Sequence, residues 1–261
     1  MVDPVYILIR TSGRPQFFAR MMETIKNQTY ENIVTIVHTD DPRDEYVAGD
    51  IIIKGHKYVH GNAPYNLYNN RLLRAIPDDQ GWYHFIDDDD EYASSDVIEK
   101  MVERSKKDHV NVCHVMRWNG TIWPRRWKIQ RTYQTECIFM HTSHRRKSRW
   151  WQNKGGDHDY SKKLTRVLPI NWIDDVLICK AQEGKGYGSR LDAGGKKVDY
   201  NYPPDKNVIV LGKLRYMKGH RSQWVMPDQF KRMKYAIARE HEIAGRVVIT
   251  YPSIVIERRN E

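Results

Sequence analysis

The sequence has no apolar run approaching the roughly 20 residues that cross a bilayer, so a membrane-spanning helix is not expected. It has no CxxC pair, which argues against a cysteine metal site. Its three cysteines, Cys113, Cys137 and Cys179, are odd in number and far apart, the pattern of reduced thiols in a cytosolic protein. The glycine-rich basic stretch over 184–197 lacks GxxxxGK[ST] spacing, so it reads as a mobile loop and not as a P-loop. No internal repeat is present. The opening "MVDPVYILIR" has neither a basic segment before its apolar stretch nor a small-residue cleavage site, and reads as a first strand instead of a signal peptide. The expected location is cytoplasmic, in a bacterium or in the host of a virus.

What is present is basic. Lys and Arg number 43 against 33 Asp and Glu, a formal charge of +10. Such a surface favours polyanionic partners, although many basic proteins bind none in particular. The length of 261 residues allows one large domain, or one domain with an appendage.

The first half alternates β-rich runs with helical patterns. "VYILI" (5–9), "NIVTIVH" (32–38), "DIIIK" (50–54) and "WYHFI" (82–86) read as strands. Between them, "PQFFARMMETIKNQ" repeats apolar residues at helical spacing, and "NAPYNLYNNRLLRAI" (62–76) reads as a second helix. "SSDVIEKMVERSKK" predicts a third helix capped by Ser94 or Ser95. "VNVCHVMRW", "ECIFMH" and "INWIDDVLIC" predict further strands, with a helix over 157–168. Beyond these, "NVIVLGKL" predicts a strand, 227–242 a basic amphipathic helix, and "RVVITYPSIVIE" a strand-like tail. The order implies an α/β chain with a mostly parallel, Rossmann-like sheet flanked by helices. Ligands collect at the carboxyl ends of strands in such sheets. Three polar clusters fall there: Thr11–Arg14, Thr39–Asp41 and Asp87–Asp90.

The last of these, "HFIDDDDEY", is the most unusual stretch. Crowded carboxylates repel, and either one stays protonated or a hard divalent cation binds several of their oxygens. A solvated acidic turn is the alternative, but three polar clusters at one sheet edge argue for function. In an extended segment alternate side chains share a face, which would let Asp87 and Asp89 hold one Mn²⁺ or Mg²⁺.

"FIDDDD" behind a strand resembles the DxD motif of GT-A glycosyltransferases, and further segments resemble family 2 of these enzymes in order. "ILIRTSGRP" looks like the first strand and turn, and "IVHTDD" the second strand with its base-recognising acid, here Asp40 or Asp41. "LYNNRLLRAI" resembles the helix before the DxD strand: Asn69 matches its Asn, while Tyr68 and Arg71 replace the usual Arg and Gly. "GGDHDYSKKL" resembles the Gly-Glu-Asp-x-Asp-Leu motif of inverting members, with Gly155 and Asp159 matching and Gly156 replacing the Glu. These matches span residues 5–168.

The resemblance implies a GT-A domain over 1–190, with a donor half at 1–92 and an acceptor half at 93–190, and a C-terminal extension over 191–261. It implies a metal-dependent, inverting transfer from a nucleotide-sugar, with a UDP-sugar favoured as donor. Asp87 and Asp89 would hold the metal, Thr11, Arg14, Asp40, Asp41, Asn69, Asp87 and Asp88 the donor, and Asp157 would be the base. Helix capping is the alternative role for Asp157, first-turn dipole chemistry for Asp159, and turn formation for Thr11 and Arg14. Asp159, Arg145, Arg146, Trp150 and Trp151 are expected on the acceptor side, where a polyanion, either DNA bearing hydroxylated bases or a glycan, would dock. His141, His144 and His158 are expected to flank the active site, and His220 is not expected to join the metal. A nucleotidyltransferase and a non-catalytic nucleic-acid-binding protein are the competing readings.

Overall fold

Residues 5–9 form a run of apolar side chains without alternation, the pattern of a central strand covered on both faces. In the computed structural model this strand, β1 (Val5–Thr11), is buried along nearly its whole length. The structure describes residues 2–55, 64–77, 80–124, 133–151, 155–181 and 183. It also describes the backbone of 207–211, 214–218, 221–225, 231–234 and 248–250.

Helix α1 (Pro15–Lys26) starts on a proline, whose fixed φ suits a first helical position, and buries Phe18, Met21, Met22 and Ile25 on one face. It returns the chain to β2 (Ile33–Thr39), which pairs parallel with β1, and β3 (Ile51–Lys54) pairs parallel with β2. The expected second helix is shorter than its pattern: a 3-10 turn over Pro64–Leu67 precedes α2 (Tyr68–Ala75). Strand β4 (Trp82–Asp87) then enters on the other side of β1, again parallel.

Beyond β4 the sheet is mixed. The strands β5 (Glu91–Tyr92), β6 (Val110–Arg117), β7 (Ile122–Trp123), β8 (Ile138–His141) and β9 (Ile170–Ala181) complete it. The order is β3-β2-β1-β4-β8-β6-β9-β5, with β7 paired to β6. Strand β8 runs antiparallel to both β4 and β6, whereas β6 and β9 are parallel. Helix α3 (Val97–Arg104) is capped at Asp96, one residue beyond the predicted serines, and Ser94 Oγ instead donates to the Asp96 carboxylate at 2.5 Å. Helix α4 (Gly156–Val167) covers the sheet beside β8 and buries Tyr160 and Leu164. The hydroxyls of Tyr83 and Tyr160 hydrogen-bond to each other at 2.8 Å inside the core, which satisfies two polar groups far from water.

Farther along, β10 (Asn207–Leu211), β13 (Lys231–Lys234) and β14 (Val248–Thr250) form an antiparallel sheet, and β11 (Leu214–Lys218) pairs with β12 (Arg221–Val225). The amphipathic helix expected over 227–242 is therefore not formed at 231–234. "KRMK" supplies inter-strand hydrogen bonds to β10 there, so pairing overrides the local helical pattern. The glycine-rich stretch over 184–197 lies outside the described residues. Among the described residues no helix is long and apolar enough to cross a membrane.

Candidate active site

The parallel register of β1 and β4 places Arg10 beside Asp87. Arg10 Nη2 donates to both oxygens of Asp87, at 2.8 and 3.0 Å, a charge-assisted contact made by a single nitrogen. Burial alone would lower the pKa of Arg10, but the charge and hydrogen bonds of Asp87 outweigh it and raise the value.

The chain turns immediately after Asp87 and does not continue extended. Asp90 folds back, and its carboxylate accepts the Asp87 main-chain N–H at 3.1 Å. Asp88 points inward and is fully buried; it accepts from Thr11 Oγ1 at 2.7 Å and Arg14 Nε at 3.0 Å, and also ion-pairs with Arg14 Nη2. Arg14 reaches on to Asp89 at 3.4 Å. Asp87 and Asp89 share one side, as expected, but a turn does this and not strand alternation.

Both open onto a cavity of about 320 Å³. Arg10, Arg14, Asp90, Glu136, Trp150 and Asp157 also face it, and the turn residues Tyr65 and Asn66 close one wall. Because β8 runs opposite to β4, the residues before β8 arrive at the same sheet edge as the residues after β4. Thus Glu136, two residues ahead of Ile138, meets the aspartates. Burial, then the charges of Asp87, Asp157 and Asp89, push the Glu136 carboxyl up to about 8. Burial, then Glu136, Asp89 and Asp87, likewise hold Asp90 well above the usual carboxylate range. The cavity therefore carries more negative charge than Arg10 and Arg14 neutralise, and a cation is its natural complement.

Helix α4 delivers Asp157. Its N-cap is Gly155, at φ +77°, a left-handed conformation that glycine adopts without strain, so Asp157 lies in the first turn and does not cap the helix. Gly156 is packed under Asn66: a Cβ there would lie 2.5 Å from Asn66 Nδ2. That contact is a physical reason for glycine where the motif has glutamate.

The other predicted residues divide. Thr11 and Asp88 buttress the site from behind, through the bonds above. Asp40 is buried, and Asp41 is buried against Arg43, which donates to it at 2.9 and 2.8 Å; neither faces the cavity. Asn69 is buried and also does not face it, unlike Asn66. Asp159 bonds through its backbone to Gly155 and stays outside the lining. Trp150 lines the cavity while stacking on Tyr160 at 4.9 Å, whereas Trp151 is exposed, with Lys163 4.7 Å above its ring. Arg145 and Arg146 line a different hollow. Of His141, His144 and His158, only His158 lies near, 3.9 Å from Asp157; His144 bonds the Lys107 carbonyl and His141 bonds Ser143. His220 lies outside the described residues. Arg10, Asn66 and Glu136 are not singled out by the sequence, and Asp90 stands out there only as the end of the Asp87–Asp90 cluster. An arginine closing an apolar strand and an acid opening one were their only signals.

The architecture resembles solved glycosyltransferases at low identity. The crystal structure of S. aureus TarS residues 1–349 matches at 13% identity and TM-score 0.54, covering 67% of this chain. The same fragment in complex with UDP matches at 12% and 0.53. A mannosyltransferase from Pyrobaculum calidifontis in complex with GDP-Man and Mn²⁺ matches at 14% and 0.53, covering 72% of this chain. The chain spans about 60% of the length of these structures. No curated protein matches it by sequence. The model of glycosyl transferase family 2 matches residues 6–171, from β1 into β9, and with the GT-A architecture of the sheet it makes this chain a member of glycosyl transferase family 2.

Proposed function

We propose that this chain transfers a sugar from a nucleotide-sugar, with a UDP-sugar favoured, to an acceptor hydroxyl with inversion at the anomeric carbon. The observation that carries the reading is that Asp87, Asp89 and Asp157 face one cavity together with Arg10 and Arg14. Neighbouring folds in complex with UDP and with GDP-Man and Mn²⁺ support the donor class and the metal.

Asp87 and Asp89 suit a divalent cation that arrives with a diphosphate. Among the described residues no three His, Cys, Asp or Glu side chains are grouped to cage a metal alone. Two carboxylates with substrate phosphate oxygens are the usual set for Mg²⁺, and Mn²⁺ accepts the same oxygen ligands. Burial, and then the neighbouring carboxylates, push Asp90 and Glu136 above the usual carboxylate range, and that crowding of acids is the electrostatic reason for such an ion. When bound, the cation stabilises the charge that grows on the departing diphosphate.

The protein's residues do the rest. Arg10 and Arg14 offer guanidinium groups to the phosphates, and Asp88 and Thr11 hold Arg14 in position. Trp150 supplies an aromatic face for a sugar ring. Asp157 takes the acceptor's hydroxyl proton as its oxygen bonds the anomeric carbon, and the electron pair of the breaking C–O bond leaves on the diphosphate. The acceptor is a polyanion, which suits the +10 charge of the chain.

A panel of nucleotide-sugars assayed for hydrolysis with and without Mn²⁺ tests this without knowledge of the acceptor. We expect release of a nucleoside diphosphate from one donor class, and loss of about a hundredfold or more in Asp89→Asn. Pyrophosphate release from a nucleoside triphosphate would establish nucleotidyl transfer instead. Full activity in Asp89→Asn, or in excess chelator, would overturn the metal assignment.

A further inference from the structure

A second hollow, of about 460 Å³, lies between α2 and the segment 145–149. Arg74, Arg145, Arg146 and Arg149 line it, with Asn70 and Ser148, and no carboxylate is among its described lining residues. The two uncharged polar side chains are committed elsewhere. Ser148 Oγ donates to the Tyr160 carbonyl at 2.9 Å, and Asn70 bonds the main chain of Trp150. The charged part of the lining is therefore all guanidinium, with Arg74 Nε anchored by donating to the Asn70 carbonyl at 3.0 Å. Arg74 is exposed overall, yet partial desolvation of its head group and then the charge of Arg149 lower its pKa. Like charges crowd here, and an oxyanion relieves the crowding. Guanidinium groups bind phosphate oxygens through paired N–H donors, and several of them around one concavity favour phosphate over a monovalent ion.

The hollow is joined to the catalytic cavity by one residue. Asn70 Nδ2 donates to the Trp150 carbonyl and its Oδ1 accepts the Trp150 N–H, both at 3.1 Å, while Trp150 also lines the catalytic cavity. The lining of the hollow is thus tied through Asn70 to Trp150, which shares the other cavity with Asp157.

We propose that this arginine-lined hollow binds a phosphate group carried by the acceptor, and so aligns the acceptor hydroxyl with the catalytic cavity. The inference rests on the transferase reading above and names the chemistry of its acceptor.

The test follows thermal melting of the full chain with inorganic phosphate or tripolyphosphate, at ionic strength held constant with chloride. We expect saturable stabilisation by tripolyphosphate, weakened about tenfold or more in apparent affinity by Arg149→Gln and by Arg146→Gln and less by Arg149→Lys. UDP binding, measured in parallel, checks that each variant is folded. No stabilisation beyond the chloride control, or equal stabilisation of parent and glutamine variants, overturns the proposal. Competition arms distinguish the source. Displacement of tripolyphosphate by a short single-stranded oligonucleotide, falling steeply with salt, identifies a phosphodiester chain. Displacement by phosphate monoesters alone identifies a small phosphorylated acceptor. If the parent hydrolyses nucleotide-sugars but ignores tripolyphosphate, only this inference fails. If it hydrolyses none, the transferase reading fails by itself.

Discussion

His84 is a buried switch for acid stability, placed directly behind the candidate active-site cavity. It is fully buried on β4, and its two ring nitrogens each have one partner at 2.9 Å: the Glu136 carbonyl at Nε2 and the Tyr92 hydroxyl at Nδ1. A carbonyl only accepts, so Nε2 carries the hydrogen and Nδ1 accepts from Tyr92 in the neutral ring. Burial, only partly opposed by the Glu136 carbonyl, lowers the His84 pKa from 6.5 to about 4. The unfolded chain therefore takes up a proton at a higher pH than the folded one. Stability from this group is complete above the unfolded value and is lost as pH falls from 6.5 toward 4. Between about pH 7 and about pH 5 the loss amounts to about 2 kcal/mol. Urea denaturation of the parent and of His84→Gln across this range provides the assay. The variant can start lower by a constant amount, since it lacks one hydrogen bond, but its stability should fall less with acid by about that 2 kcal/mol. His141, whose pKa burial also lowers, is common to both proteins and cancels. Parallel pH profiles would refute the reasoning and mean that His84 titrates alike in the folded and unfolded chains.

Two further outcomes follow from the packing. Asp157→Asn should reduce transfer by about 10²–10⁴-fold, the usual range for a lost general base. Its melting temperature should stay close to the parent's, because Gly155 and not Asp157 caps α4; early melting with normal single-turnover chemistry would return Asp157 to a structural role. Tyr83→Phe should cost about 1–3 kcal/mol by stranding the buried Tyr160 hydroxyl, whereas adding Tyr160→Phe should recover part of that loss. Additive losses in denaturant titrations would mean the hydroxyls are not coupled.

Much of the donor half was legible because its cues are local. Predominantly apolar, β-rich runs indicate β1, β2 and β4, and Pro15 with Phe18, Met21, Met22 and Ile25 indicates α1. The gathering of Asp87, Asp89 and Asp157 followed from matching a known order of motifs, and the cavity contains all three. What the sequence hid was direction. In a parallel sheet the residue before a strand lies at the far edge, so Glu136 gave no reason to be placed beside Asp87 until β8 proved to run backwards. The 3-10 turn hid Asn66 for a similar reason, since a continuous helix over 62–76 would have aimed it elsewhere. Asp41 shows another limit of local cues: it lies two residues beyond β2 at the ligand edge, and Arg43, two residues on, pairs with its carboxylate.

The insertion of β8 between β4 and β6 also sets an order on assembly during synthesis. Strands β1 to β4 are all available once residue 87 has emerged, and β4 can then pair with β1 across the intervening β2 and β3 segments. Until residues 138–141 follow, however, β4 presents one row of unpaired N–H and C=O groups along Trp82–His84, on an apolar strand near the middle of the eventual sheet. Such an open edge is a template for pairing with another chain. A nascent or truncated chain ending before Ile138 is thus exposed to aggregation along this edge, which the arrival of β8 closes.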